Sequence, residues 1–329
     1  MIISRTPVRV SFLGGGSDYP EYCRDHTGMT LCATIDKYSY ITVNALSGFF
    51  DHSIRISYSR TELAKKLDEI QHPSVRECLR SMGIEKGIEV HYVGDLPART
   101  GLGSSSSFTV GLLHALYAHK GRMVEKRRLA EEAVRVEREM IGERVGLQDQ
   151  YACAFGGFLH LSFRRGMEAE VRHLTLAPQR VKAIQDRLLL FYTGLQRTAH
   201  EILGEQIEKT ERGDVDRQLE ALAALVPRGA SILCESDDLS EFGALLHENW
   251  MLKRELSSAI TNKTIDDCYE AARAAGALGG KLCGAGGGGF ILLYVEPYNQ
   301  EKVRRALRSL LEVQFSFETE GSTIIFYRP

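Results

Sequence analysis

No stretch of this chain is apolar for anything near the ~18 residues that a membrane-spanning helix requires. An excess of one charge is missing too. Lys and Arg number 41 against 43 Asp and Glu, a net charge of -2 with no long basic run, so the footprint of a nucleic-acid binder is absent. The seven cysteines, at 23, 32, 78, 153, 234, 268 and 283, are odd in number and form no C-x-x-C pair. That argues against a disulfide framework and a zinc site, and for a reducing, cytoplasmic setting. Met1 to Pro7 is too polar and too soon interrupted for a signal peptide. There is no tandem repeat, no low-complexity linker and no G-x-x-x-x-G-K-[ST], which excludes the P-loop class. What remains is an ordinary globular composition, 43% hydrophobic and 26% charged, over 329 residues, enough for two domains.

The patterning is α+β. Val8–Leu13, Leu31–Ile35, Tyr38–Ala45 and Ile54–Tyr58 read as strands. Thr61–Ile70 and Val124–Ile141 read as helices, the latter with Leu129, Ala133, Val136 and Met140 on one face. After Leu174–Pro178 the texture changes. A buried-strand candidate at Arg187–Thr193 precedes an α-rich stretch from Ala199 to about Ala275. Two strand-like runs, Phe290–Val295 and Ser322–Tyr327, then flank a helix over Asn299–Leu311. The expected division is 1–178 and 179–329.

The richest segment is Leu96–Ser107, L-P-A-R-T-G-L-G-S-S-S-S, lying between a strand (Ile88, Val90, Tyr92) and a helix that stops at Gly121. Glycines in such a turn let the backbone approach a ligand, and the helix N-terminus favours an anion such as phosphate. Pro97, Gly101, Leu102, Gly103 and Ser104 to Ser107 are the candidates for that contact. The serine hydroxyls suit phosphate oxygens or a hard cation. A second cluster, Lys281 to Phe290 (K-L-C-G-A-G-G-G-G-F), contains G-x-G-x-x-G, but a helix precedes it and a strand follows. That order is the reverse of a Rossmann fingerprint. So many glycines are best explained by close packing against the substrate or the first glycine loop.

With Arg5 to Pro20 (R-T-P-V-R-V-S-F-L-G-G-G-S-D-Y-P) there are three motifs in order, and together they resemble the GHMP kinase superfamily. The resemblance implies a two-domain kinase, with a ribosomal S5-like N-terminal domain and a ferredoxin-like C-terminal domain carrying added helices. ATP and Mg2+ are the implied cofactors, and the acceptor is a small-molecule sugar or sugar phosphate. By position, Asp149 in V-G-L-Q-D-Q matches the catalytic aspartate, and Arg9 a basic residue beside the attacking hydroxyl. Glu137 and Ser105 match the Mg2+ ligands. Asp18 matches an aspartate that binds sugar hydroxyls, and Gly15, Gly16, Ser17, Gly286 and Gly287 are further candidates for contact with the substrate. Asp149 would accept the hydroxyl proton, held ionised by Arg9, or only orient the hydroxyl. Without the family, Glu137 reads as one charge on a solvated helix face. Arg9, between apolar neighbours, calls for a partner.

Where galactokinases carry G-E-H-T-D-Y, this chain has Gly14-Gly15-Gly16-Ser17-Asp18-Tyr19, a roomier turn with exposed amides that suits a longer or more anionic acceptor. With F-Y-T-G-x-x-R-x-A at Phe191 to Ala199, the pattern resembles the heptose 7-phosphate kinases, which implies transfer to the C1 hydroxyl. Arg197 is the first candidate for a distal phosphate, followed by Lys37, Lys253 and Arg99. The rival readings are a kinase for L-fucose or a hexose, and an inactive sugar sensor. The sequence is silent on oligomeric state.

Overall fold

The computed structural model describes residues 1–98, 100–166, 168–195 and 199–328. The chain opens with β1 (Ile2–Leu13), a single turn α1 (Pro20–Cys23) and the long β2 (Gly28–Ala45). The hairpin β3 (Ile54–Ser57) and β4 (Thr61–Ala64) leads to α2 (Pro73–Ser81) and β5 (Ile88–Gly94). Helices α3 (Ser104–His119), α4 (Lys126–Arg135) and α5 (Gln148–Phe155) precede β6 (Phe158–Phe163) and β7 (Ala169–His173). Then come α6 (Pro178–Gln185), β8 (Leu188–Tyr192) and the helical stretch of α7 (Ala199–Glu211), α8 (Asp216–Glu235), α9 (Ser240–Glu255) and α10 (Lys263–Ala274). The chain closes with β9 (Ala277–Leu282), β10 (Phe290–Val295), α11 (Gln300–Ala306), β11 (Leu311–Glu312) and β12 (Thr323–Tyr327). Among the described residues no helix is long and apolar enough to cross a membrane.

Two sheets organise these elements. In the eight-stranded sheet β2 pairs with β1 along one side and is shared on the other: residues 39–45 pair with β5 and residues 28–33 with β6, all antiparallel. The second sheet runs β11-β8-β10-β9. Numbered from β8, that order is 4-1-3-2, with α7 to α10 crossing between its first two strands and α11 between its last two. This is the ferredoxin-like arrangement with added helices. The closing strand does not stay with it. β12 pairs with β1, Ile2 opposite Tyr327, so residues 323–327 return to the first sheet, across the expected division at 178.

Two local expectations are corrected. Thr61–Ile70 is no helix, because β4 pairs with β3 (Ile54 opposite Ala64) and a 3-10 turn follows at 67–69. The Glu69 carboxylate accepts the Lys65 and Lys66 amides there, so sheet pairing and a side-chain cap override helical propensity. The helix over Val124–Ile141 holds only to Arg135, and 136–140 widens into a π turn.

The alternation of β1 gives each face a core. One face packs under α2 to α5. From the other face Val8, Val10 and Phe12 meet Leu190, Leu292 and Tyr294 of the second sheet and Val226, Phe242 and Leu246 of α8 and α9. Phe12 is fully buried, edge-on to Phe242 at 5.5 Å between centroids. The two halves therefore share one continuous core, and Phe12→Ala should cost about 3–5 kcal/mol in denaturant unfolding.

Candidate active site

The Leu96–Ser107 segment enters α3 through Gly101 and Gly103, at φ +84° and +76°. The left-handed backbone there is one that glycine adopts without strain. Gly103 is the N-cap, and Ser107 N–H donates to its carbonyl at 2.9 Å, closing the first helical turn. The amides of Ser104, Ser105 and Ser106 have no intrahelical acceptor, the usual state of a helix start, and suit an anion. Pro97 is exposed at the rim, where its carbonyl accepts the Thr100 hydroxyl at 3.0 Å.

Successive helical residues turn by about 100°, so the serines divide their work. Ser105 faces solvent. It is Ser106, not the expected Ser105, whose hydroxyl donates to Glu137 Oε2, at 2.9 Å. Two further expected anion contacts are also corrected. The Ser107 hydroxyl is spent on the Thr6 carbonyl at 2.9 Å, and its amide on Gly103. The Leu102 side chain is fully buried in the shared core, and its carbonyl accepts the Arg9 amide at 3.0 Å.

Arg9 has the partner its apolar neighbours called for. Its Nε and Nη2 donate to Asp149 Oδ1 and Oδ2, each at 2.8 Å, while Nη1 donates to the Gly101 carbonyl at 2.8 Å. Asp149 lies in the first turn of α5, beside Gly103, and keeps 27% of its side chain exposed. A bidentate carboxylate still has unused lone pairs. Gln148 donates to Oδ1 at 3.3 Å and accepts the Ser11 hydroxyl at 3.0 Å.

Glu137 is not on a solvated face. The π turn brings it to full burial, where Oε2 also accepts from Gln150 at 2.5 Å and Oε1 has no partner among the described residues. Such turns recur where a side chain is redirected toward a site. An orphaned carboxylate oxygen beside a hydroxyl and a helix-start anion site fits Mg2+, which is held through one or two carboxylates together with substrate phosphates.

The acceptor turn is closely braced. Asp18 Oδ1 and Oδ2 accept the Gly16 and Gln148 amides at 3.0 and 3.1 Å, and burial raises its carboxyl above the usual range. Ser17 is not free for an acceptor, since its hydroxyl serves the Gly14 and Met29 carbonyls, both at 2.9 Å. Gly14 N–H donates to Asn249 Oδ1 at 2.9 Å.

The second glycine cluster packs backbone on backbone, as its composition implied. A methyl group on Gly284 would lie 2.4 Å from Gly101 Cα, and one on Gly289 2.3 Å from the Thr100 carbonyl oxygen. Gly286 and Gly287 lie elsewhere than expected, against the segment before α10. A methyl on Gly286 would meet Ile260 at 2.7 Å, and Gly287 N–H donates to the Ile260 carbonyl at 2.9 Å. Arg197 and Arg99 fall outside the described residues. Lys37 is paired with Asp36 at 3.1 Å, whereas Lys253 is buried and donates to the Gly284 carbonyl at 2.7 Å. Lys281 was passed over within a motif chosen for its glycines, yet it is fully buried in the same place. A lysine inside an otherwise apolar and glycine strand was the available signal.

Burial pushes the Glu137 carboxyl up to about 7, against the donors Gln150, Thr109 and Ser106. Between about 4.3, the unfolded value, and 7 the folded chain holds a proton that the unfolded chain has lost. Stability therefore falls as pH rises through that window. Metal-free protein should lose a few kcal/mol across it in denaturant titrations, and Glu137→Gln should flatten the profile.

Residues 62–157 match the GHMP kinases N terminal domain, and residues 230–313 the GHMP kinases C terminal domain. A D-glycero-alpha-D-manno-heptose 7-phosphate kinase of Campylobacter jejuni is 31% identical, with 97% of each chain covered. A galactokinase of Thermococcus kodakarensis is 25% identical over 96% of this chain and 95% of its own. The fold superposes on a D-glycero-D-manno-heptose 1-phosphate kinase from Bacteroides thetaiotaomicron with a TM-score of 0.81, at 24% identity and full coverage of both chains. Both family domains in sequence, on this fold, and a full-length relative above 30% identity lead to one conclusion: this chain belongs to the GHMP kinase family and is an ATP-dependent kinase.

Proposed function

We propose that the protein transfers the terminal phosphoryl group of ATP to the C1 hydroxyl of D-glycero-D-manno-heptose 7-phosphate, giving the 1,7-bisphosphate from which nucleotide-activated heptose for surface glycans is made. The observation that carries the acceptor is the full-length similarity to the Campylobacter heptose 7-phosphate kinase. The replacement of the galactokinases' glutamate and histidine by Gly15 and Gly16 supports an acceptor other than galactose, although the turn itself is buried and the Gly14 and Gly16 amides are taken by Asn249 and Asp18 rather than exposed.

Phosphoryl transfer is mostly positioning and neutralisation of charge. The amides of Ser104 to Ser106 and the α3 dipole would take the nucleotide phosphates. Glu137 and Ser106 would hold Mg2+. Bound there, the ion would supply positive charge to the β- and γ-phosphates. Arg9 fixes both oxygens of Asp149, which takes or orients the proton of the attacking hydroxyl. Through Nη1 on the Gly101 carbonyl, Arg9 also ties that carboxylate to the nucleotide loop.

ADP release with Mg-ATP should be confined to heptose 7-phosphate in a panel with mannose, galactose and L-fucose. Turnover of a free sugar would move the acceptor to a hexose or fucose kinase, and no turnover with any sugar would favour the sensor. Asp149→Asn should lower kcat by about 10²–10⁴-fold in the same assay. Full activity in that variant would remove the residue from the chemistry.

A further inference from the structure

Lys253 of α9 and Lys281 of β9 reach the acceptor turn from different elements. A methyl group placed on Gly15 would lie 3.8 Å from the ammonium nitrogen of each, and 3.4 Å from the Ser11 hydroxyl. The two side chains thus converge on one point beneath the turn. Lys253 is 5% exposed and Lys281 0%. Lys253 has the Gly284 carbonyl as acceptor, whereas Lys281 Nζ has none among the described residues. A second buried donor at the turn, Asn249 Nδ2, is likewise without a partner among them. Buried donors in folded proteins are almost always completed by a protein group, an ordered water or a bound ligand.

We propose that Lys253 and Lys281 form a second phosphate-binding pair, beneath the Gly14–Gly16 turn and separate from the anion site at the start of α3. The proposal rests on the kinase reading and adds to it the residues that meet an anionic group within the acceptor site. Phosphate has the right chemistry, with several oxygens to accept from two ammonium groups and an amide at once.

Charge balance adds a consequence. The groups that act on the two lysines are Arg9 from β1, Asp18 from the turn, Cys283 from the second glycine cluster and Asp149 from α5. Burial pushes the Cys283 thiol up, which keeps it neutral. Arg9 and Lys253 then offset Asp149 and Asp18, and a charged Lys281 would be the unmatched cation. Burial, with Lys253 beside it, pushes Lys281 well below the ordinary lysine range, and burial brings Lys253 down to about 8. An incoming phosphate dianion reverses that balance, so Lys281 takes up a proton as the ligand binds. Both nitrogens are covered in this conformation, so access requires their cover to shift. Gln206 of α7 lies against the same turn, its Nε2 3.4 Å from where a methyl on Gly16 would sit.

The test is calorimetric titration at pH 8, in two buffers of different ionisation enthalpy, on wild type, Lys281→Met and Lys253→Met. The probes are orthophosphate, heptose 7-phosphate, the dephosphorylated heptose and ATP. Wild type should take up a proton on binding a phosphate probe. Lys281→Met should bind that probe roughly 10–100-fold more weakly and without proton uptake, while the dephosphorylated heptose binds both alike. A loss confined to heptose 7-phosphate and orthophosphate identifies the acceptor's own phosphate as the occupant. A loss confined to ATP, with a fall in kcat, identifies the transferred group. Affinity within twofold of wild type for every phosphate probe, with unchanged proton uptake, overturns the pair. Lys281→Gln serves in parallel, with melting temperature checked for each variant. Wild-type turnover is read separately: its absence on all sugars would defeat the kinase acceptor reading, while the orthophosphate titration would still decide the lysine pair.

Discussion

One buried ion pair holds this site together. The Arg9 guanidinium, on β1 of the larger sheet, joins the carbonyl of the nucleotide-side loop to the carboxylate at the head of α5. Segments 92 and 140 residues away from Arg9 are thereby set in one geometry with its strand. Arg9 is 4% exposed in its side chain, so its charge has left water and depends on Asp149 and Gly101 for compensation. Breaking such a pair leaves an uncompensated buried charge, which costs more than the intact pair contributes. The same bonds that would align the reacting carboxylate also hold the loop against the strand.

Around that pair the glycines act as spacers set at zero. Gly101 and Gly284 approach so closely that neither tolerates a β-carbon, and Gly289 does the same against Thr100. The halves of the molecule meet here backbone to backbone, above a core to which β1, α8, α9 and the second sheet all contribute. A cleft built this way has little side-chain freedom at its floor.

The cleft stores electrostatic imbalance in two places. Glu137 lies buried in a π turn with one oxygen unpaired, which an Mg2+ ion would complete. Lys281 lies buried with no acceptor. Burial holds the Glu137 carboxyl and the Lys281 amine toward their neutral forms. The charged form of each becomes favourable only when the opposite charge arrives, which is how a site for phosphate and metal prefers its loaded state.

The sequence by itself determined the class of the molecule. Three glycine-bearing motifs in order, an arginine between apolar neighbours and an aspartate at a helix start were legible because each is a local pattern with a local cause. The ferredoxin-like order of the second half and the packing of one glycine cluster on the other followed from the same motifs. Which serine faces Glu137 did not, because four identical residues on a helix differ only in angle, and the angle is set by what packs around them. Nor did the return of the last strand to β1, the sheet pairing of Thr61–Ala64, or the spending of the Ser17 and Ser107 hydroxyls on carbonyls. The meeting of Lys253 and Lys281 is of the same kind. These are contacts between residues distant along the chain, and burial, which gives a charged side chain its meaning, exists only once those residues have come together.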